Sequence, residues 1–167
     1  MSCGLSFCEC GQCVREHVAQ RCGGLWGHHA GMGCCAQCEA RTSRTLAIDL
    51  DVPAALWLTA NGREHWREKA RRTKALRTLA YAHCTPRPTR FDGPVDVTAS
   101  ISYPTARRAD PANASPTVKA ALDGIVDAGL LADDDHRHVP RVTFERGPDT
   151  GRRGIDHVAI HLTEVAP

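Results

Sequence analysis

Eight of the nine cysteines, Cys3, Cys8, Cys10, Cys13, Cys22, Cys34, Cys35 and Cys38, fall within the first 38 residues of this 167-residue chain, and only Cys84 lies beyond them. A stretch so rich in thiols and so poor in large apolar side chains cannot fold by burial alone and needs disulfides or metal. Two knuckles, Cys10-Gly-Gln-Cys13 and Cys35-Ala-Gln-Cys38, stand 21 residues apart, slightly wider than the usual zinc ribbon. Four thiolates from these knuckles predict a closed structural Zn²⁺ site with no open position for chemistry. Cys3, Cys8, Cys22, His28, His29 and Cys34 are spare ligands, enough for a second zinc whose pairing the spacing does not decide. The competing reading is a thiol-rich tail without metal, or an upstream extension that is not part of the working protein. Either way the chain divides into a Cys-rich segment, 1–44, and a second part, 45–167.

The second part has the means to build a core. Hydrophobic residues make up 42% of the chain and charged residues 24%, near globular averages. No run of about 18 uncharged apolar residues occurs, and the N-terminus lacks the basic-then-apolar layout of a signal peptide, so the expectation is a cytoplasmic protein with no membrane partner. The net charge of +2 is a sum of unequal blocks: −1 over residues 1–60, +7 over 61–90 and −4 over 91–167. A cationic block followed by an acidic one suits a protein that grips a polyanion with one surface and holds cations with another.

Alternation of apolar and polar residues predicts strands over 45–52, 94–103, 138–145 and 155–165, the last two antiparallel and joined through the Gly147–Gly154 turn region. Between the first two strands, residues 63–83 place Trp66, Ala70, Leu76, Leu79 and Ala80 on roughly one helical face, away from Arg67, Arg71, Arg72 and Lys74. Ser115-Pro116 reads as an N-cap followed by proline at the first helical position, opening a helix whose buried stripe is Val118, Leu122, Ile125 and Val126 and which Gly129 ends. The order β, α, β, α, β, β predicts an α+β fold, a four-stranded mixed sheet with both helices on one face.

Carboxylates surround the second helix: Asp110 before it, Asp123 within it, and Asp133, Asp134 and Asp135 beyond its end. Acids brought together repel unless a cation neutralises them, and hard oxygen ligands of this kind suit Mg²⁺ or Mn²⁺. Lys119 lies one turn before Asp123 on the same face, where an amine beside bound metal could stabilise a scissile phosphate or leaving oxygen. The plainer alternative is a helix-surface ion pair with turn-forming aspartates, worth about 0.2–0.5 kcal/mol.

The runs Arg107-Arg-Ala-Asp-Pro-Ala-Asn113, Lys119-Ala-Ala-Leu-Asp-Gly-Ile-Val-Asp-Ala-Gly129 and Asp133-Asp-Asp135, preceded by Leu58-Thr-Ala-Asn61 with Arg63, His65 and Trp66, resemble the RusA-like Holliday-junction resolvases over about residues 46–165. The resemblance implies a Mg²⁺- or Mn²⁺-dependent endodeoxyribonuclease, a homodimer acting on branched DNA in recombination, repair or phage DNA processing. It implies Asp110, Lys119, Asp123 and Asp134 as catalytic residues and Asp110, Asp123, Asp133 and Asp134 as metal ligands. Ala112 stands where the family commonly has a second acid, and three extra residues separate Asn113 from Lys119. Asn113 is then a candidate neutral oxygen ligand.

A four-way junction is nearly two-fold symmetric, so paired nicks suit an isologous dimer. Arg63, Arg67, Lys69, Arg71, Arg72, Lys74 and Arg77 on the basic helix, with Arg107 and Arg108, are the expected phosphate contacts. Asn61 and His65 are secondary candidates near the scissile phosphate. Two rival functions are a non-catalytic branched-DNA-binding protein, in which Ala112 has abolished hydrolysis, and a zinc-dependent DNA-binding regulator. Trp57, Trp66 and Phe144 are expected in the core rather than as base-stacking platforms, and Cys84 as a small buried hydrophobe. His136 and His138 lie beside the acids, where one of them could touch DNA or metal, and His157 and His161 read as exposed strand positions.

Overall fold

The computed structural model describes residues 44–84, 90–106 and 108–165. The expected zinc ligands Cys10, Cys13, Cys35 and Cys38 lie outside the described residues, as does Arg107. Residues Thr45–Val165 make up one compact unit, with strands β1 (Thr45–Pro53), β2 (Val95–Ser102), β3 (Arg141–Arg146) and β4 (Ile155–Glu164) and helices α1 (Trp66–Cys84) and α2 (Ser115–Asp127). The expected α+β class, with a four-stranded mixed sheet and two helices, is what the described residues of 45–165 adopt.

Strand order is β1-β4-β2-β3. β4 runs antiparallel to both neighbours, Ile48 facing Ile160 on one side and Ala99 facing Ile160 on the other, while β3 runs parallel to β2. Here the expectation of a β3–β4 hairpin is corrected. β4 buries every second residue, Asp156, Val158, Ile160 and Leu162, whereas β3 is exposed at all positions but the half-buried Phe144. A strand solvated at nearly every position, as β3 is, suits the edge of a sheet. The segment after β3 therefore crosses the end of β2, where Gly147 N–H donates to Ile101 O and Thr150 N–H to Tyr103 O. Gly147 permits this passage because a Cβ there would collide with the Ser102 and Ser100 hydroxyls.

The buried residues of β1 (Ile48, Leu50, Val52), β2 (Val95, Val97, Ala99, Ile101) and β4 fall in register on one face, and they share one core with Leu76 and Ala80 of α1 and Val118 and Ile125 of α2. Both helices thus cover a single face, as the strand pattern requires. On the other face His157 Nδ1 meets Asp51 Oδ1 at 3.0 Å, and Arg152 clasps the same carboxylate, with Nη1 to Oδ2 at 2.8 Å. His157 and His161 are half-buried there rather than open strand positions.

α1 buries only Leu76, Ala80 and Cys84. Cys84 is the small buried hydrophobe expected of it, and Trp57 packs edge-on to Tyr103 with ring centroids 5.9 Å apart. Trp66 and Ala70, in contrast, are exposed, Trp66 by 67%. The core-facing stripe is confined to the C-terminal half of α1.

α2 is entered differently from the sequence expectation. Ser115 is not a cap: a 3₁₀ turn, Pro111–Ala114, runs straight into the helix, and Asp110 caps that turn by accepting from Ala112 N–H at 3.0 Å. Its far end follows expectation. Gly129, at φ +76, donates to Val126 O while Leu130 N–H reaches back to Ile125 O, the paired bonds of a Schellman motif. α2 is buried nearly all round, including Thr117, whose hydroxyl donates to Leu58 O (2.9 Å) and accepts from Leu58 N–H (3.0 Å).

Candidate functional site

The Schellman turn at Gly129 reverses the chain, so the acids after α2 come back along its side. Lys119 and Asp123, one turn apart, meet there: Nζ lies 2.6 Å from Asp123 Oδ1 and is also hydrogen-bonded to Asp134 Oδ2. The Lys119 side chain is 60% exposed, whereas those of Asp123 and Asp134 are 25% and 18% exposed. Desolvation works to lower the Lys119 pKa, but hydrogen bonds from the amine to Asp123 and Asp134, together with their negative charge, outweigh it and hold the pKa above the ordinary lysine value. Lys119 is therefore a fixed cation at neutral pH, presented to solvent by two acids.

The other expected acids take structural duties. The Asp133 carboxylate accepts from Asp134 N–H at 2.8 Å, which sets the turn that delivers Asp134. Asp135 accepts from the backbone N–H of Arg137 and His138 and from both their side chains, with His138 Nδ1 at 2.6 Å; the Arg137 and His138 hydrogen bonds hold its carboxyl well below the usual carboxylate range. Asp110 caps the 3₁₀ turn. Asn61 and Asn113 do come together, Asn61 Nδ2 donating to Asn113 Oδ1 at 3.2 Å, and Ala60 N–H donates to Asn113 O at 2.8 Å. His65 caps α1 through its Nδ1, which accepts from Arg67 N–H at 3.3 Å.

Among the described residues no group of three or more His, Cys, Asp or Glu side chains could hold a metal ion. Two carboxylates converge, and the cation they converge on is the Lys119 ammonium. As arranged, the donor set does not fit a divalent ion: Asp110 and Asp133 each turn one oxygen to a backbone N–H rather than toward Asp123 and Asp134, and Ala112 contributes none.

The basic helix is only partly available. Arg71 and Arg72 both bind Glu68, drawing its pKa down to about 2, and Arg72 also reaches Trp57 O and Glu64. Arg77 Nη2 donates to Asp127 Oδ1 at 2.6 Å, tying α1 to α2. That bond raises the Arg77 pKa above its usual value, and the charges of Asp123 and Asp134 add to it, so the cationic helix and the Lys119 cluster share one electrostatic neighbourhood. Arg63, Arg67, Lys69 and Lys74 make no ion pair among the described residues, and Arg108 is exposed. Asp127 was missed from sequence, although its spacing of four from Asp123 places it on the same side of α2.

Among the described residues no helix is long and apolar enough to cross a membrane. No protein-family model matches the chain, and no curated protein matches it.

Proposed function

We propose that residues 45–165 form a phosphodiester hydrolase for branched DNA, of the kind the motif around α2 resembles. The observation that supports it is the meeting of Lys119, Asp123 and Asp134 beside a helix bearing Arg67, Lys69 and Lys74, three cations that make no ion pair among the described residues. In this role the Lys119 ammonium donates to a non-bridging oxygen of the scissile phosphate and neutralises the charge that grows there in the transition state. The phosphate replaces a carboxylate on the amine, the carboxylate so released accepts a proton from the attacking water, and as the water oxygen bonds to phosphorus the bond from phosphorus to one sugar oxygen breaks, that oxygen taking a proton from solvent. Lys69, Lys74, Arg63 and Arg67 hold the flanking phosphates without reading sequence, so affinity falls steeply with salt. Magnesium belongs to the proposal through the resemblance alone, and it requires Asp110 or Asp133 to be redirected and Lys119 to withdraw from the acids. The homodimer, and a structural Zn²⁺ on Cys10, Cys13, Cys35 and Cys38, are proposed on the sequence grounds given above.

The test is incubation with a synthetic four-way junction, with and without Mg²⁺ or Mn²⁺. Paired symmetrical nicks are expected. Lys119→Met should slow them by about 10²–10³-fold, the usual loss for one donor to a developing oxyanion, and Asp134→Asn should stop them with junction binding retained. Unchanged turnover in both variants refutes the site.

A second reading is favoured by Ala112 and by the incomplete acid set: a junction-binding protein that does not cut. A gel shift with no nicks under any divalent cation would establish it over the first.

A further inference from the structure

β3 closes the strand order β1-β4-β2-β3, and among the described residues nothing pairs with its outer edge. Gly147 N–H donates to Ile101 O of β2. Backbone groups point to the two edges of a strand by turns, so those of Thr143 and Glu145 also serve β2, and those of Val142 and Phe144 point outward. An open edge of this kind is a template for another strand unless charge or twist blunts it. Several of its side chains are uncommitted as well. Val142 and Phe144 lie opposite Val97 and Ala99 on the core side, yet Val142 is 39% exposed and Phe144 only half-buried. On the other side Glu145 makes no ion pair among the described residues, and Arg141 reaches Asp96 only at 3.7 Å.

The run Arg141-Val-Thr-Phe-Glu145 says what fits this edge, because it complements its own reverse. Two such strands laid antiparallel about a two-fold axis at Thr143 set Arg141 against the partner's Glu145, Val142 against the partner's Phe144, and Thr143 against the partner's Thr143. Opposite charges, a β-branched side chain with an aromatic ring, and threonine with threonine are all favourable cross-strand pairs. The two-fold repeats the first two, as an isologous contact requires. Val142 and Phe144 are also the residues that exchange hydrogen bonds in this register, and their N–H and C=O groups are the ones that point outward. Neighbouring registers lose the match. An axis on Phe144 sets Val142 against Arg146 and Thr143 against Glu145, and an axis on Val142 sets Arg141 against Thr143 and Phe144 against Pro140. The charges that keep foreign strands off the edge therefore select a second copy of this chain. We propose that β3 pairs antiparallel with β3 of a second copy about Thr143, joining the two four-stranded sheets edge to edge. This names the surface of the homodimer proposed above and rests on that dimer, not on hydrolysis or on the Lys119 cluster. A strand of 6 residues is a small interface, so association is expected at micromolar protein.

The experiment is sedimentation equilibrium of the full chain from about 1 to about 100 μM, without DNA and with a thiol reductant so that cysteine cross-links play no part. The unaltered protein should show a monomer–dimer equilibrium. Glu145→Arg sets arginine against arginine and Arg141→Glu sets glutamate against glutamate, so each alone should weaken the dimer by about tenfold or more. Mixed in equal amounts the two variants should dimerise again, because every arginine then faces a glutamate on the other copy. Val142→Pro removes an outward N–H without touching the ladder to β2, and it should also weaken the dimer by about tenfold. Circular dichroism melts verify that these exposed substitutions leave the fold in place. A dimer that none of the variants weakens, or a mixture that stays monomeric, overturns the inference and leaves the homodimer itself standing. A monomer throughout the range for the unaltered protein overturns both.

Discussion

Gly124 is where α1 and α2 approach most closely, and it offers a sharp test of how the candidate site is held. A Cβ at this position would lie far inside van der Waals contact of the Arg77 carbonyl oxygen and 2.9 Å from Ala80 Cβ. The nearest obstacle is backbone, with no rotamer to swing away, so Gly124→Ala must push α2 off α1. Overpacking of this kind costs about 1–3 kcal/mol, and the rigid obstacle places it near the upper end. Alanine's better helix propensity returns about 1 kcal/mol, leaving a net loss of about 2 kcal/mol. For a unit of about 120 residues the unfolding entropy is about 0.25 kcal/mol/K, so the melting temperature should drop by about 8 °C. Calorimetry of wild type and variant measures this directly. Adding Ala80→Gly should not rescue the loss, because the carbonyl is closer than the methyl. An unchanged or raised melting temperature in Gly124→Ala would show that propensity outweighs the helix contact and would refute the packing argument.

The Asp51 carboxylate, held by Arg152 and His157, has its pKa lowered below the range of the free side chain, chiefly by the Arg152 hydrogen bond and then by that of His157. A depressed carboxylate stabilises the fold fully above its unfolded value of about 3.9 and loses that contribution as pH falls through the folded value. Melting of Asp51→Asn against wild type should therefore show a gap at pH 7 that narrows steadily below about pH 4; a gap constant from pH 7 to pH 3 would contradict the linkage. Metal analysis of the purified full chain should find about one or two Zn²⁺ ions released by a strong chelator, while the transition of residues 45–165 stays in place. A metal-free preparation that folds normally would dismiss the thiolate site.

Much of the architecture was readable from the chain because it rests on local pattern. Apolar alternation marked all four strands, and Gly129 marked the end of α2. What pattern could not supply was pairing. The antiparallel sense of β3 and β4 held, but alternation does not say which strand sits between which, and only the weak burial of Arg141–Arg146 hints at an edge. Trp66 was misplaced for a related reason: a helical stripe shows which residues share a side, not how far along the helix the core extends. At the candidate site, the one-turn spacing of Lys119 and Asp123 was visible, and the arrival of Asp134 was expected from the acid run. The diversion of Asp110, Asp133 and Asp135 into turns was not, since a short carboxylate that caps a backbone and one that binds a metal have the same letter in a sequence.

The position of β4 also bears on how this protein is made. The strand that holds the sheet together, bonded to β1 on one side and β2 on the other, is the last of the four to be synthesised. Among the described residues β1 pairs with β4, and through that pairing the face bearing Ile48, Leu50 and Val52 joins the sheet. The β1–β4 pairing joins residues more than a hundred apart in sequence, the class of contact whose loop closure slows folding.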